Sequence, residues 1–266
     1  MMNPQKPTHK FTPKQIKEIQ IKQFEKPLEM PNFPSVSKIL RETMPEENRM
    51  KLQKWEEEMI KKLGQEDFDA LMQETKDTGT SMHTSLTNYY LTNRLNCEIL
   101  GKGNKETVKT LVKSVEHCLK DFQPLHLESH VVHSELGYHG YMDAVMYSKQ
   151  RKQLIVLDWK TSKRPKTTLH ATFDNPLQLA AYVGALNYDE RYPYQVEGAC
   201  LVIAYNFYAK ANVLHVGKAY LKKYWDLWLQ RLELYNKKKL DTWIFCSVLF
   251  SGHRKKADAT NLSEQQ

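Results

Sequence analysis

The stretch Leu154-Ile-Val-Leu-Asp158-Trp-Lys160-Thr-Ser162 decides the fold and most of the chemistry. Four apolar residues in a row, preceded by the polar turn Ser148-Lys-Gln-Arg151, read as a buried strand over 153–161. Side chains alternate along a strand, so Asp158 and Lys160 share one face and Trp159 takes the other. A charged pair closing an apolar strand is costly to bury unless it binds something. The hairpin partner, Gly140-Tyr-Met-Asp143, carries a second carboxylate toward the same strand end. Two hard oxygen ligands there suit Mg²⁺, with Mn²⁺ able to substitute. A lysine two residues on can place a water and offset charge building on phosphorus. The combination points to metal-assisted phosphodiester hydrolysis. Taken alone, Asp158 and Lys160 also read as a salt bridge at a strand edge. A second match to the same short pattern, Glu74-Thr-Lys76, sits in a polar helix end with no strand before it and is set aside.

Working outward, the hydrophobic period predicts helices over 45–64, 66–76, 81–100 and 105–121, with a break at Thr78-Gly79. Strands are expected at 125–136, 140–147 and 153–161, then a helix opened by Asn175-Pro176 and running to about Asn187. Strands at 195–206 and 211–216 follow, and a helix at 218–239 presents Leu221, Trp225, Trp228, Leu232 and Tyr235 on one face. The order is helices, then β-β-β-α-β-β-α, an α/β fold with a mixed central sheet flanked by helices and an N-terminal helical elaboration. The expected organisation is a basic, partly disordered arm over 1–33 and one domain over 34–239. That domain has a helical part, 34–121, and an α/β core, 122–239. Residues 240–266 form a tail in which Ile244 to Phe250 would be an aggregation patch if exposed.

The chain has 266 residues, 41% of them hydrophobic and 26% charged, which excludes collagen, coiled-coil rods and wholesale disorder. Thirty-nine Lys plus Arg against 31 Asp plus Glu gives +8, which favours an anionic partner such as nucleic acid or a phospholipid surface. No apolar run approaches the roughly 20 residues of a membrane span, so no membrane partner is expected. Four widely separated cysteines give neither a disulfide framework nor a thiolate zinc site. No glycine-rich phosphate loop is present, so no nucleoside triphosphate is expected. The N-terminal segment has no signal-peptide or evident transit-peptide character.

Other residues have a functional and a bland reading. Gln178 and Tyr182, four apart on a helix, face one way beside the strand ends, or else face solvent. His83, in Gly79-Thr-Ser-Met-His83, opens a helix and serves as a ligand, a cap or a packed residue. Lys163, Arg164 and Lys166 meet a phosphate backbone or form a solvated loop. One of Tyr89 and Tyr90 can stack on a base, since neighbours on a helix cannot share a face. Trp55 and Phe68 are expected in the core. His130 and His133 are three apart on a strand and face opposite sides, which disfavours a zinc pair.

In order, Gly79-Thr80-x-x-His83, Gly140-x-x-Asp143, Asp158-x-Lys160-Thr161 and Gln178-x-x-x-Tyr182 resemble the RecB-like branch of the PD-(D/E)xK nucleases. The wording of VLDWKTSKRPK and TFDNPLQLAAYVGALN is most similar to that branch's mitochondrial exonucleases, over about residues 30–239. The resemblance implies a restriction-endonuclease-like core and a monomeric, Mg²⁺-dependent exonuclease. Its substrate would be single-stranded DNA with free ends or flaps, in the mitochondrial matrix. Carried over, His83, Asp143, Asp158 and the main-chain carbonyl of Trp159 would hold the metal, and Lys160 would act on the water. Gln178 and Tyr182 would steady the scissile phosphate, and Glu128 would stand outside the ligand set. The sequence departs from the pattern at Met142, where the wider superfamily often has Pro, and at Thr87, where many relatives carry Glu. A structure-specific endonuclease and a non-catalytic single-strand-binding module are the competing readings.

Overall fold

The computed structural model describes residues 6, 20–92, 100–207 and 209–260, with side chains described as far as 241. Before the sheet come α1 (Val36–Glu42), α2 (Glu46–Leu63), α3 (Gln65–Thr92) and α4 (Lys105–Leu119). The sheet strands are β1 (Phe122–His133), β2 (Tyr138–Ser148), β3 (Gln153–Ser162), β4 (Gly198–Tyr205) and β5 (Asn212–Val216). Helix α5 (Asn175–Tyr188) connects β3 to β4, and α6 (Lys218–Thr260) follows β5. The strand order β1-β2-β3-β4-β5 is antiparallel except for the β3–β4 pair, which runs parallel. A parallel pair needs a crossover, and α5 supplies it. The expected mixed sheet with flanking helices is the fold observed.

Alternation sorts the strand residues into two cores. On β3, Leu154 and Val156 pack under α1, α5 and α6, whereas Ile155, Leu157 and Trp159 pack under α3 and α4. Strand β4 is buried along its whole length, with Leu201 and Ile203 on one side and Cys200 and Val202 on the other. Capping follows the chemistry of the ends: the Ser35 side chain accepts from the Lys38 N–H at 3.2 Å and Asn104 from the Thr107 N–H at 3.0 Å. The expected face of α6 is the buried one, from Leu221 through Tyr235.

One expectation changes. No break occurs at Thr78-Gly79; the two helices expected there are one, α3, and His83 lies in its interior rather than in a first turn. A mid-helix glycine costs about 1 kcal/mol, and the burial of Thr78, Ser81 and Met82 outweighs that. The expected end of that helix beyond Thr92, at 93–99, lies outside the described residues, as do most of 1–19 and all of 261–266. The later part of the arm sits along the free edge of β1. There Lys22 and Leu125 pair at 3.0 Å, Leu127 and Lys22 at 3.1 Å, and the His130 N–H reaches Phe24 O at 2.6 Å. Covering an edge strand in this way removes a site for non-native pairing. The backbone of 240–260 continues α6, while the side chains of the Ile244–Phe250 run lie outside the described residues.

Two predictions follow from this packing. Gly184 of α5 lies against the Trp225 ring of α6, where an added Cβ would overlap ring atoms. Gly184→Ala is expected to cost about 1–3 kcal/mol through overpacking, read as a lower urea midpoint. His126, His130 and His133 are buried, and burial above all holds each near a pKa of about 4. They are neutral when folded and take up protons when unfolded at a pKa of about 6.5. Their stabilisation is therefore complete above about pH 6.5 and is lost as pH falls toward 4. The urea midpoint should drop across that window, and a flat profile would contradict this account.

Candidate active site

The site forms where two neighbouring strands part. The β2–β3 ladder ends at the Ala144–Leu157 pair, and beyond it Asp143 is no longer paired to the backbone of β3. Its side chain fills the gap: Asp143 Oδ2 accepts from the Trp159 N–H at 2.7 Å. The opened fork leaves the Trp159 carbonyl free of the β2 ladder, and His83 of α3 reaches it, Nε2 to O at 3.0 Å. The other ring nitrogen of His83 lies 3.4 Å from Asp143 Oδ1. Three elements thus meet at one carboxylate.

Asp158, 1% exposed, and Lys160 share the face expected of them, with Nζ 2.6 Å from Asp158 Oδ2. The Lys160 ammonium is thus the charged partner of this buried oxygen. On α5 the Gln178 amide donates to the Tyr182 hydroxyl at 2.9 Å, and the Tyr182 ring is buried. Gly140 opens the motif for a steric reason: a Cβ there would overlap the Tyr182 ring. Glu128 of β1 has a left-handed backbone, φ 42°, and its carboxylate accepts from Thr87 at 3.3 Å. Ligand atoms of His83, Glu128 and Asp143 all lie within 4.8 Å of one another. A cavity of about 500 Å³ in front of them is lined by Thr80, His83, Thr84, Thr87 and Glu128.

The electrostatics follow from crowding charge into a buried place. Burial lowers the affinity of His83 for a proton, but Asp143 and then Asp158 outweigh it and raise its pKa to about 9. Asp143 is held below the usual carboxylate range: burial opposes this, and His83, Lys160 and the Trp159 N–H together prevail. Asp158 is pushed up to about 6 by burial, against the pull of Lys160 and with the push of Asp143, and is ionised at neutral pH. Lys160 stays an ammonium, since Asp158 and Asp143 outweigh its burial. Burial and Asp158 keep Tyr182 a phenol.

The structure therefore gathers His83, Asp143, Asp158, the Trp159 carbonyl, Lys160, Gln178 and Tyr182 around one fork. Glu128, expected outside the ligand set, stands beside His83 and Asp143. Its left-handed backbone turns it there, and no residue pattern announces that turn. Of the basic candidates, Lys163 and Arg164 are exposed. Lys166 is committed through Nζ to Ala171 O, at 3.0 Å, and lies over the Phe173 ring. Tyr89 and Tyr90 are not presented as free platforms. They contact each other edge to face at 5.0 Å between ring centres, pack on the α3–α4 core, and Tyr90 donates to Leu119 O at 3.2 Å. Phe68 is buried as expected, but Trp55 is 41% exposed and lines a cavity with Thr161, Ser162 and Lys163. Helix α2 has no buried residue, so its tryptophan has no core to enter.

The family model of the PD-(D/E)XK nuclease superfamily matches residues 52–243. The chain belongs to that superfamily. Mitochondrial genome maintenance exonuclease 1 of Xenopus tropicalis is 39% identical over 211 residues, 78% of this chain and 58% of the relative. The mouse and human proteins of that name are 36% and 35% identical over 80% of this chain, covering 62% and 61% of their own lengths. The chain thus spans about three-fifths of the curated relatives it matches. PD-(D/E)XK nucleases generally depend on a divalent metal, and the donor set here fits one: carboxylate oxygens of Glu128 and Asp143 converge with the His83 imidazole, beside the Trp159 carbonyl that His83 contacts.

The charge on His83 gives that fit a signature. An imidazolium cannot ligate, so a metal held by His83 would have to displace its proton. Mn²⁺ is expected to raise the melting temperature of the wild-type protein, more strongly as pH rises from 7 toward 9. Asp143→Asn should abolish the shift in a thermal melt.

Proposed function

We propose that this chain is a metal-dependent, single-strand-specific DNA exonuclease that trims free ends and flaps during mitochondrial DNA replication and maintenance, in the matrix. The observation that carries the reading is the fork itself, where Asp143, Asp158 and Lys160 meet between parted strands. Membership of a nuclease superfamily and the names of the three relatives support it.

A divalent ion, Mg²⁺ with Mn²⁺ able to substitute, would supply Lewis acidity toward a phosphoryl oxygen and favour ionisation of water. His83, Asp143, Asp158 and the Trp159 carbonyl would hold it, with Glu128 on the side of the cavity. Asp143 also accepts the Trp159 N–H, so the same carboxylate fixes the strand whose carbonyl it works beside. Because Lys160 is charged, it serves as a donor and not as a base: it orients a water and faces the negative charge that builds on phosphorus. Tyr182, a phenol oriented by Gln178, can donate to a phosphate oxygen or to the attacking water. The Thr80, Thr84 and Thr87 hydroxyl face of α3 lines the way in. An excess of positive charge draws the strand to the protein.

Asp158→Asn and Lys160→Ala should each lower the rate at least about 100-fold, the scale of removing one preorganised electrostatic group, while remaining folded and still binding single strands. Chelation of divalent ions should abolish cleavage by the wild type. Linear and circular single strands separate the alternatives: degradation of linear strands alone supports the exonuclease, and cutting of circles identifies an endonuclease. Binding without release of nucleotides, in either metal, identifies a binding module.

A further inference from the structure

Phe173 carries a conformation and an exposure that the core does not explain. It is 72% exposed, the highest value among the described aromatic residues given as exposed, and its φ of 53° is in the left-handed region. A bulky side chain gains nothing there from burial, and the backbone costs on the order of 1–3 kcal/mol to hold. Both neighbours hold it. Thr172 is fully buried and donates to Leu169 O at 2.6 Å. Asp174 is clamped by Arg231 of α6 at 3.2 and 2.9 Å. One face of the Phe173 ring is covered by Lys166 Nζ, 4.4 Å from the ring centre. That amine is itself fixed by Ala171 O.

We propose that Phe173 is a stacking platform for an unpaired nucleobase of the strand held at the active site. Position supports this: Phe173 ends the loop between β3, which carries Asp158 and Lys160, and α5, which carries Gln178 and Tyr182. Surroundings select the occupant. Besides Phe173, the exposed residues of the same loop are Lys163, Arg164, Thr167, Thr168 and His170, with Pro165 and Ala171 as the small apolar ones. Cations and hydroxyls suit a phosphate backbone, with the ring taking the base, whereas an anchor for a protein partner would sit in an apolar surround. Every base has a π face, so such a platform grips single strands without reading sequence, while a paired and stacked base cannot reach it. This inference rests on the nuclease reading above and adds a residue that favours unpaired substrate.

The test is equilibrium binding of a fluorescent oligothymidylate in EDTA, which stops cleavage. Phe173→Ala should weaken binding roughly 5- to 100-fold, the range of one base–aromatic stack. Phe173→Trp should restore it to within about 3-fold, and the melting temperatures should agree, which separates stacking from unfolding. A series of strands with one abasic site moved along them adds a second readout. The wild type should show one position where losing the base weakens binding, and Phe173→Ala should show none. Equal binding by wild type and Phe173→Ala, or the same abasic profile for both, overturns the platform alone. A wild-type protein that binds no single strand overturns the platform and the nuclease reading together.

Discussion

The hydrogen bond from the Trp159 N–H to Asp143 Oδ2 is the constraint on which the site depends. In a continuous antiparallel ladder that N–H would face a backbone carbonyl of β2. The ladder stops at Ala144 and Leu157, and a side chain takes over the acceptor role. The strands can then part without leaving a buried donor unpaired, which would cost about 1–3 kcal/mol. The parting frees the Trp159 carbonyl from the β2 ladder and admits His83 from α3. Fold and chemistry share one atom, and a substitution at Asp143 acts on both.

Charge balance explains why such a cluster survives burial. Asp143 and Asp158 are compensated within the fork by Lys160 and by a His83 that holds its proton to about pH 9. Each cation would be expensive alone, as would each anion, and together they are close to neutral.

Much of this was legible along the chain, for a definite reason. The apolar run Leu154–Leu157 fixes β3, alternation fixes the shared face of Asp158 and Lys160, and i, i+4 spacing fixes the Gln178–Tyr182 pair, all local rules. What the sequence could not supply was non-local or conformational. Continuity of α3 through Gly79 depends on burial of Thr78 and Ser81 against other elements. The approach of Glu128 to His83 depends on one left-handed residue inside β1. Trp55 was expected in the core by its type, yet α2 makes no buried face for it. Helical spacing allows one of Tyr89 and Tyr90 to stack on a base, whereas both rings pack against the α3–α4 core.

Backbone strain points to the same places as the side chains. Among the described residues, three non-glycine positions have positive φ: Glu128, Lys152 and Phe173. Lys152 belongs to the turn between β2 and β3, where a left-handed residue is a requirement of reversing the chain. Neither of the other two closes a hairpin, although Phe173 does end the short 3-10 helix Leu169–Thr172. Glu128 lies within β1 with its carboxylate turned to the cavity, and Phe173 precedes α5 with its ring turned to solvent. Strain that closes no hairpin and fills no core is retained when it presents a group to something outside the fold. In chain order one lies on the strand before Asp143 and the other on the loop after Lys160, so both strained positions belong to the elements that build the fork.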